Sequence, residues 1–108
     1  MGTKIVEFDD STATLHCLGD EDRCTQGSRR AGFVRAIRAK TDVTVDLSGL
    51  VFADSSVMLD LAALARRLRA RGRTLLIVGP QPQIRTLIEM TGLHRLAGIK
   101  LEPSIALT

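Results

Sequence analysis

Val43-Thr-Val-Asp-Leu-Ser-Gly-Leu-Val-Phe-Ala-Asp54-Ser55-Ser56-Val57-Met58-Leu59 contains the change of period that decides the fold. Residues 43–47 alternate apolar and polar, the period of two that marks a strand. From 55 to 71 the apolar residues Met58, Leu61, Leu64, Ala65 and Leu68 recur at spacings of three and four, which predicts a long helix with one buried stripe. Gly49 lies in the connection between them, and Gly72 fits a C-terminal cap. A strand feeding a helix through a short corner is half of a β-α-β unit.

The same alternation of periods extends in both directions. Upstream, residues 3–8 and 12–18 read as strands around the turn-like Asp9-Asp10-Ser11, an antiparallel hairpin at a sheet edge. Ala13, Leu15 and Cys17 share one face of the second strand. Residues 19–25 read as a polar, acidic loop, and a helix over about 26–39 places Val34, Ile37 and Ala31 or Phe33 inward. Downstream, Thr74-Leu-Leu-Ile-Val78 is a short apolar run closed by Gly79-Pro80, as expected of a strand buried on both faces. A third helix starts near Pro82, turns Ile84, Leu87 and Ile88 inward and stops at Gly92. A short strand near 98–101 and a helical turn near 103–107 complete an α/β chain. Its mostly parallel sheet has four or five strands, with the N-terminal antiparallel hairpin at one edge and helices packed on it.

Length and composition restrict the function. At 108 residues there is room for one domain, 1–108. A hydrophobic fraction of 44% and a charged fraction of 25% are those of a globular protein. The acidic N-terminus and the lack of a long apolar run predict a soluble cytoplasmic protein with no membrane partner. Trp and Tyr are absent and aromatics make up only 3%, which leaves little for stacking nucleic-acid bases. The net charge of +3 draws on Arg66, Arg67, Arg69, Arg71 and Arg73. That cluster reads either as a solvated helix end suited to the macrodipole or as a grip for phosphates on nucleic acid or another anionic surface.

Catalytic and metal chemistry find little support. No phosphate-cradling glycine loop or serine-hydrolase motif occurs, so the chain is expected not to be an enzyme and to carry no cofactor. Cys17 and Cys24 with His16 and His94 lack zinc spacing, and neighbours on a strand face opposite ways, so no metal site is expected. Cys17 reads as a small core residue, with a regulatory Cys17–Cys24 disulfide as the alternative. His94 reads as a surface residue.

Asp54-Ser55-Ser56 remains as the candidate site. Asp and Ser at a helix start are N-cap residues, whose oxygens satisfy orphan backbone N–H groups. The same corner also tolerates a phosphate, because the helix end is partly positive and rich in donors.

Asp46-Leu-Ser-Gly-Leu-Val-Phe-Ala-Asp54-Ser55-Ser56 resembles the phosphorylation segment of STAS domains of the anti-sigma factor antagonist type, D-L-S-G-V-x-F-[IM]-D-S-[ST]-G-L. Leu75-Leu-Ile-Val-Gly-Pro-Gln-Pro-Gln-Ile-Arg85, continuing to Met90-Thr-Gly-Leu93, is similar to a second family stretch, and Leu18-Gly-Asp20-Glu21-Asp22 to an early family loop. The resemblance spans nearly the whole chain. It implies that Ser55 is the phosphoacceptor, with Ser56 a lesser alternative. Asp20, Glu21, Asp22, Asp54, Ser55, Ser56, Val57 and Met58 are implied to form the partner-binding surface. The implied partner is an anti-sigma factor of the histidine-kinase-like ATPase type, bound by the unphosphorylated form so that a sigma factor is released for a bacterial stress response. The resemblance further implies that kinase action ends binding and a phosphatase restores it, and the protein is expected to be a monomer or weak dimer. Val57 replaces the family's Gly, a bulkier residue expected to narrow access to Ser55. Glu21 replaces an apolar loop residue, and Arg23-Cys24 follow the loop Asp. These departures keep a second reading open, an unphosphorylated STAS scaffold in a stress-signalling assembly.

Overall fold

The computed structural model describes residues 6–21 and 26–102, with side chains except at 21, 26 and 28. Strand β1 (Val6–Asp9) and strand β2 (Thr14–Glu21) form the expected antiparallel hairpin. Its turn is held by the Asp9 carboxylate, whose Oδ1 accepts from Ser11 N (2.9 Å) and Ser11 Oγ (2.7 Å). Helix α1 (Gln26–Ile37), strand β3 (Val43–Ala53), helix α2 (Ser55–Arg69), strand β4 (Leu75–Val78), helix α3 (Pro82–Thr91), a 3-10 turn (Leu93–Arg95) and strand β5 (Ile99–Leu101) follow. The sheet order is β1-β2-β3-β4-β5, and every pair after the first is parallel.

Sequential order explains where the helices lie. Three right-handed crossovers that each advance one strand in the same direction leave their helices on one face of the sheet. The burial pattern agrees with this. The registered row Phe8, Leu15, Val45, Ile77 is buried, as are Val43, Leu47, Leu75 and Ile99. The alternate row Glu7, His16, Asp46, Val78 lies on the open face and keeps solvent contact. There His16 Nδ1 sits 3.1 Å from Asp46 Oδ2, and Ser48 N donates to Asp46 Oδ1 at 2.9 Å. Desolvation works to raise the Asp46 carboxyl, but the Ser48 bonds and the adjacent His16 outweigh it and hold it below the ordinary carboxylate value.

Several expectations are corrected. β4 alternates between buried Leu75 and Ile77 and half-buried Leu76 and Val78, so it is covered on one face rather than two. β2 continues through Asp20 and Glu21, which pair with Phe52 and Ala53 of β3, where a loop was expected. β3 correspondingly runs eleven residues instead of ending at 47. In α1 the inner face is Arg29, Phe33 and Ala36, whereas Val34 is 40% exposed, Ala31 is exposed and Ile37 only half-buried. α2 ends as expected in a left-handed glycine. Gly72 has φ 75°, its N–H donates to Arg69 O and Arg73 N donates to Leu68 O, the paired bonds of a Schellman cap. Ile84 and Ile88 of α3 are buried, as the periodicity predicts. The proposed terminal turn at 103–107 lies outside the described residues.

Candidate functional site

The site forms where β3 turns into α2. Asp54 is extended (φ −107°, ψ −178°), and its Oδ1 accepts from Ser56 N at 2.9 Å. This is the N-cap bond the sequence predicts, closing one orphan donor of the first turn. The Ser56 hydroxyl donates to the same Asp54 oxygen, and Arg29 Nη2 donates to Ser56 Oγ at 3.1 Å. Ser56 is therefore half-buried and engaged on both sides. Ser55 is exposed, and among the described residues none bonds its hydroxyl. The two adjacent serines thus differ sharply in access.

Arg29 was not foreseen. It is only 1% exposed, and its Nε and Nη2 lie 2.9 and 2.8 Å from Asp60 Oδ2. A buried guanidinium needs such a partner, because an unpaired charge in the interior is strongly disfavoured. Arg29, Phe33 and Ala36 follow i, i+4, i+7, so a charge on the apolar stripe was the available signal.

Two expected contact residues turn inward. Val57 is 0% and Met58 3% exposed, both part of the core cluster. The helical period turns them under α2 with Leu61, Leu64 and Leu68 and brings out Ser55 and Leu59, four apart. Val57 is packed into the core, so the expectation that its bulk narrows the approach to Ser55 is corrected. Leu59 is 69% exposed and stands off the inner stripe, which was its legible sign.

Ser55 lies at the rim of an apolar groove of about 240 Å³ lined by Met58, Leu59, Ala62, Thr91, Leu93 and Leu96. On the strand side, Asp20 is exposed and registers with Phe52, itself 52% exposed, beside Val51 at 54%. Gln83 Nε2 donates to Val51 O at 2.9 Å and Gln81 Nε2 to Ser48 O at 2.9 Å, so α3 satisfies part of the β3 edge that runs past β4. The corner thus presents an exposed hydroxyl among exposed apolar side chains and the carboxylates of Asp20 and Asp54. The side chain of Glu21, and Asp22 and Cys24 altogether, lie outside the described residues, as does the proposed Cys17–Cys24 bond. Cys17 itself is buried, 1% exposed. His94 is half-buried rather than at the surface.

Members of the arginine cluster make different contacts. Arg67 faces the cleft between α1 and α2, Arg69 lies along Gly98, and Arg71 Nη1 donates to Ile37 O at 3.0 Å at the end of α1. Among the described residues no group of His, Cys, Asp and Glu could hold a metal ion, and no helix is long and apolar enough to cross a membrane.

Comparison with known proteins places this geometry in context. No curated protein matches the sequence. The anti-sigma factor antagonist SpoIIAA in its unphosphorylated form is similar in structure, with a TM-score of 0.65 and 21% identity over 92% of this chain and 86% of that one. A Thermotoga maritima protein assigned as an anti-sigma factor antagonist gives a TM-score of 0.65 and 13% identity over 94% and 86% of the two chains. At these identities the likeness establishes the fold. A family model described as STAS domain matches residues 6–107.

Proposed function

Because the chain belongs to the STAS domain family, we propose that it is an anti-sigma factor antagonist whose binding is switched by phosphorylation of Ser55. The observation that carries this reading is the difference between neighbouring hydroxyls. Ser55 is exposed at the first position of α2, while Ser56 is held by Asp54 and Arg29. A kinase needs a hydroxyl it can reach and orient, and of the two adjacent serines Ser55 is the one that offers it.

The partner surface in this reading is the exposed set around that hydroxyl: Ser55, Leu59 and Leu96 at the groove, Phe52 and Val51 on the β3 extension, and Asp20 and Asp54 beside them. Apolar side chains exposed together mark an interaction site rather than a solvated face. The partner is an anti-sigma factor of the histidine-kinase-like ATPase type, and its capture frees a sigma factor. The chain itself performs no catalysis.

Phosphorylation adds roughly −1.5 to −2 charges at Ser55. The α2 N-terminus tolerates that charge, so the fold survives. A partner packed against a neutral hydroxyl, however, meets a dianion next to Asp54, with the Asp20 carboxylate on the strand that pairs with Phe52. An unmatched charge buried in an interface costs about 2–5 kcal/mol, enough to end binding. A phosphatase removing the group restores the adhesive surface.

The test is incubation with ATP and candidate serine kinases of this ATPase type from the source organism, followed by mass-spectrometric mapping. Phosphate on Ser55 in the wild type, and none in Ser55→Ala, is the expected result. Phosphate that persists in Ser55→Ala, or sits on Ser56, overturns the assignment.

A further inference from the structure

A second cleft lies away from the Ser55 groove, between α1 and α2. It encloses about 390 Å³ and is lined by Arg29, Arg30, Phe33, Val34, Ile37, Asp60, Ala63, Leu64 and Arg67. We propose that this cleft is a binding site for a small anionic amphiphile, a single apolar chain ending in a carboxylate or phosphate.

Three features of the lining support this. The first is its apolar wall: Phe33 and Leu64 are buried, Ala63 and Ile37 half-buried, and Val34 is 40% exposed. An exposed valine opposite buried apolar residues leaves hydrophobic surface that a ligand chain can cover. The second is charge. Among the described residues, three guanidiniums line the cleft against one carboxylate, and that carboxylate, Asp60, is bonded to Arg29. Arg30 and Arg67 are exposed and, among the described residues, have no acidic partner. Guanidinium is the side-chain group best suited to two-point recognition of a carboxylate or phosphate. The third is size. At ~30 Å³ per water the cleft displaces about a dozen waters, which fits a chain of roughly ten carbons with its head toward the rim.

The arrangement also argues against other ligands. Among the described residues, the lining has one aromatic ring, Phe33, and no neutral amide or hydroxyl side chain, so it offers little to read a base or a sugar. An apolar wall with a cationic rim distinguishes an amphiphile both from a bare anion and from a neutral oil.

The test uses the whole chain and three probes, decanoate below its micelle concentration, decanol and acetate, each titrated while backbone amide shifts are followed by NMR. Decanoate is expected to shift α1 and α2 amides saturably at one site, with decanol and acetate each at least about ten-fold weaker. Arg30→Gln and Arg67→Gln are each expected to weaken decanoate by about five-fold or more, whereas Arg73→Gln, outside the lining, leaves it unchanged. Ala63→Leu, which fills the cleft with a good helix former, is expected to abolish saturation while the remaining spectrum stays that of the wild type. The proposal is overturned if decanol or acetate binds as well as decanoate, if both arginine variants bind like the wild type, or if the shifted amides lie outside α1 and α2. None of these outcomes bears on Ser55, so the assignment of the switch stands or falls separately.

Discussion

Replacing Arg29 with Met tests the contact that joins α1 to the start of α2. The guanidinium is 1% exposed, meets Asp60 Oδ2 at 2.9 and 2.8 Å and donates to Ser56 Oγ at 3.1 Å. Met keeps the apolar stem and fills most of the volume, so a cavity contributes little. The loss is electrostatic. Breaking a fully buried ion pair costs about 3–5 kcal/mol because one charge is left without its partner. Asp60 retains 25% exposure and can be rehydrated, so about 2–3 kcal/mol is the expected cost. Urea unfolding followed by far-ultraviolet circular dichroism is the suitable assay, since the chain has no Trp or Tyr to report by fluorescence. With a slope of about 1–1.5 kcal/mol per molar, the midpoint should fall by roughly 2 M. The double variant Arg29→Met/Asp60→Leu should recover most of the loss, because two apolar groups of similar volume replace the pair without leaving an orphan charge. A single variant within about 0.5 kcal/mol of the wild type, or a double variant whose losses simply add, would refute the view that a coupled buried pair fixes the α1–α2 junction.

Three further outcomes follow from the structure. Asp54→Ala removes the side-chain acceptor of Ser56 N and should cost about 1 kcal/mol, lowering the melting midpoint by roughly 5 °C in calorimetry. Gly79→Ala places a Cβ 3.2 Å from Ser48 Cβ on a backbone at φ +67°, and should destabilise by about 1–2 kcal/mol in the same experiment. Asp46 has a folded pKa held below the ordinary carboxylate value, so its contribution is present above that value and disappears as pH falls through the folded pKa. Asp46→Asn should therefore be less stable than the wild type at neutral pH, by less than about 1 kcal/mol given its solvent contact, and equal to it in acid; urea midpoints across the pH series read this directly.

The sequence conveys the elements better than their faces. The strand-to-helix corner at 43–59, the α2 stripe, the Gly72 cap and the helix starting at Pro82 are local patterns, and all are present. What was misread depends on residues far apart in the chain. Ser48 to Ala53 lacks clean alternation, with Val51 and Phe52 both exposed, and becomes strand because β2 pairs along it through two register shifts. Arg29 carries a charge normally found at the surface, and partners far along the chain, Asp60 at 31 positions and Ser56 at 27, help make its burial tolerable. Val34 looks like a core residue until Arg29 takes the inner face. The candidate site shows the same division. The Asp54 cap and the exposed Ser55 are legible from type and position, whereas the helical turn that buries Val57 and most of Met58 and exposes Leu59 depends on which face of α2 meets the sheet. The groove beside Ser55 draws on Thr91, Leu93 and Leu96, which no local pattern connects to α2.

The most direct measurement is the affinity of one anti-sigma kinase for two forms of this protein, unmodified and stoichiometrically phosphorylated on Ser55, by titration calorimetry in the same buffer. Tight binding of the unmodified form, weakened at least about thirty-fold by the phosphate, is the predicted result, corresponding to about 2 kcal/mol or more of lost interaction. Equal affinity of the two forms, with circular dichroism showing both folded, would contradict it.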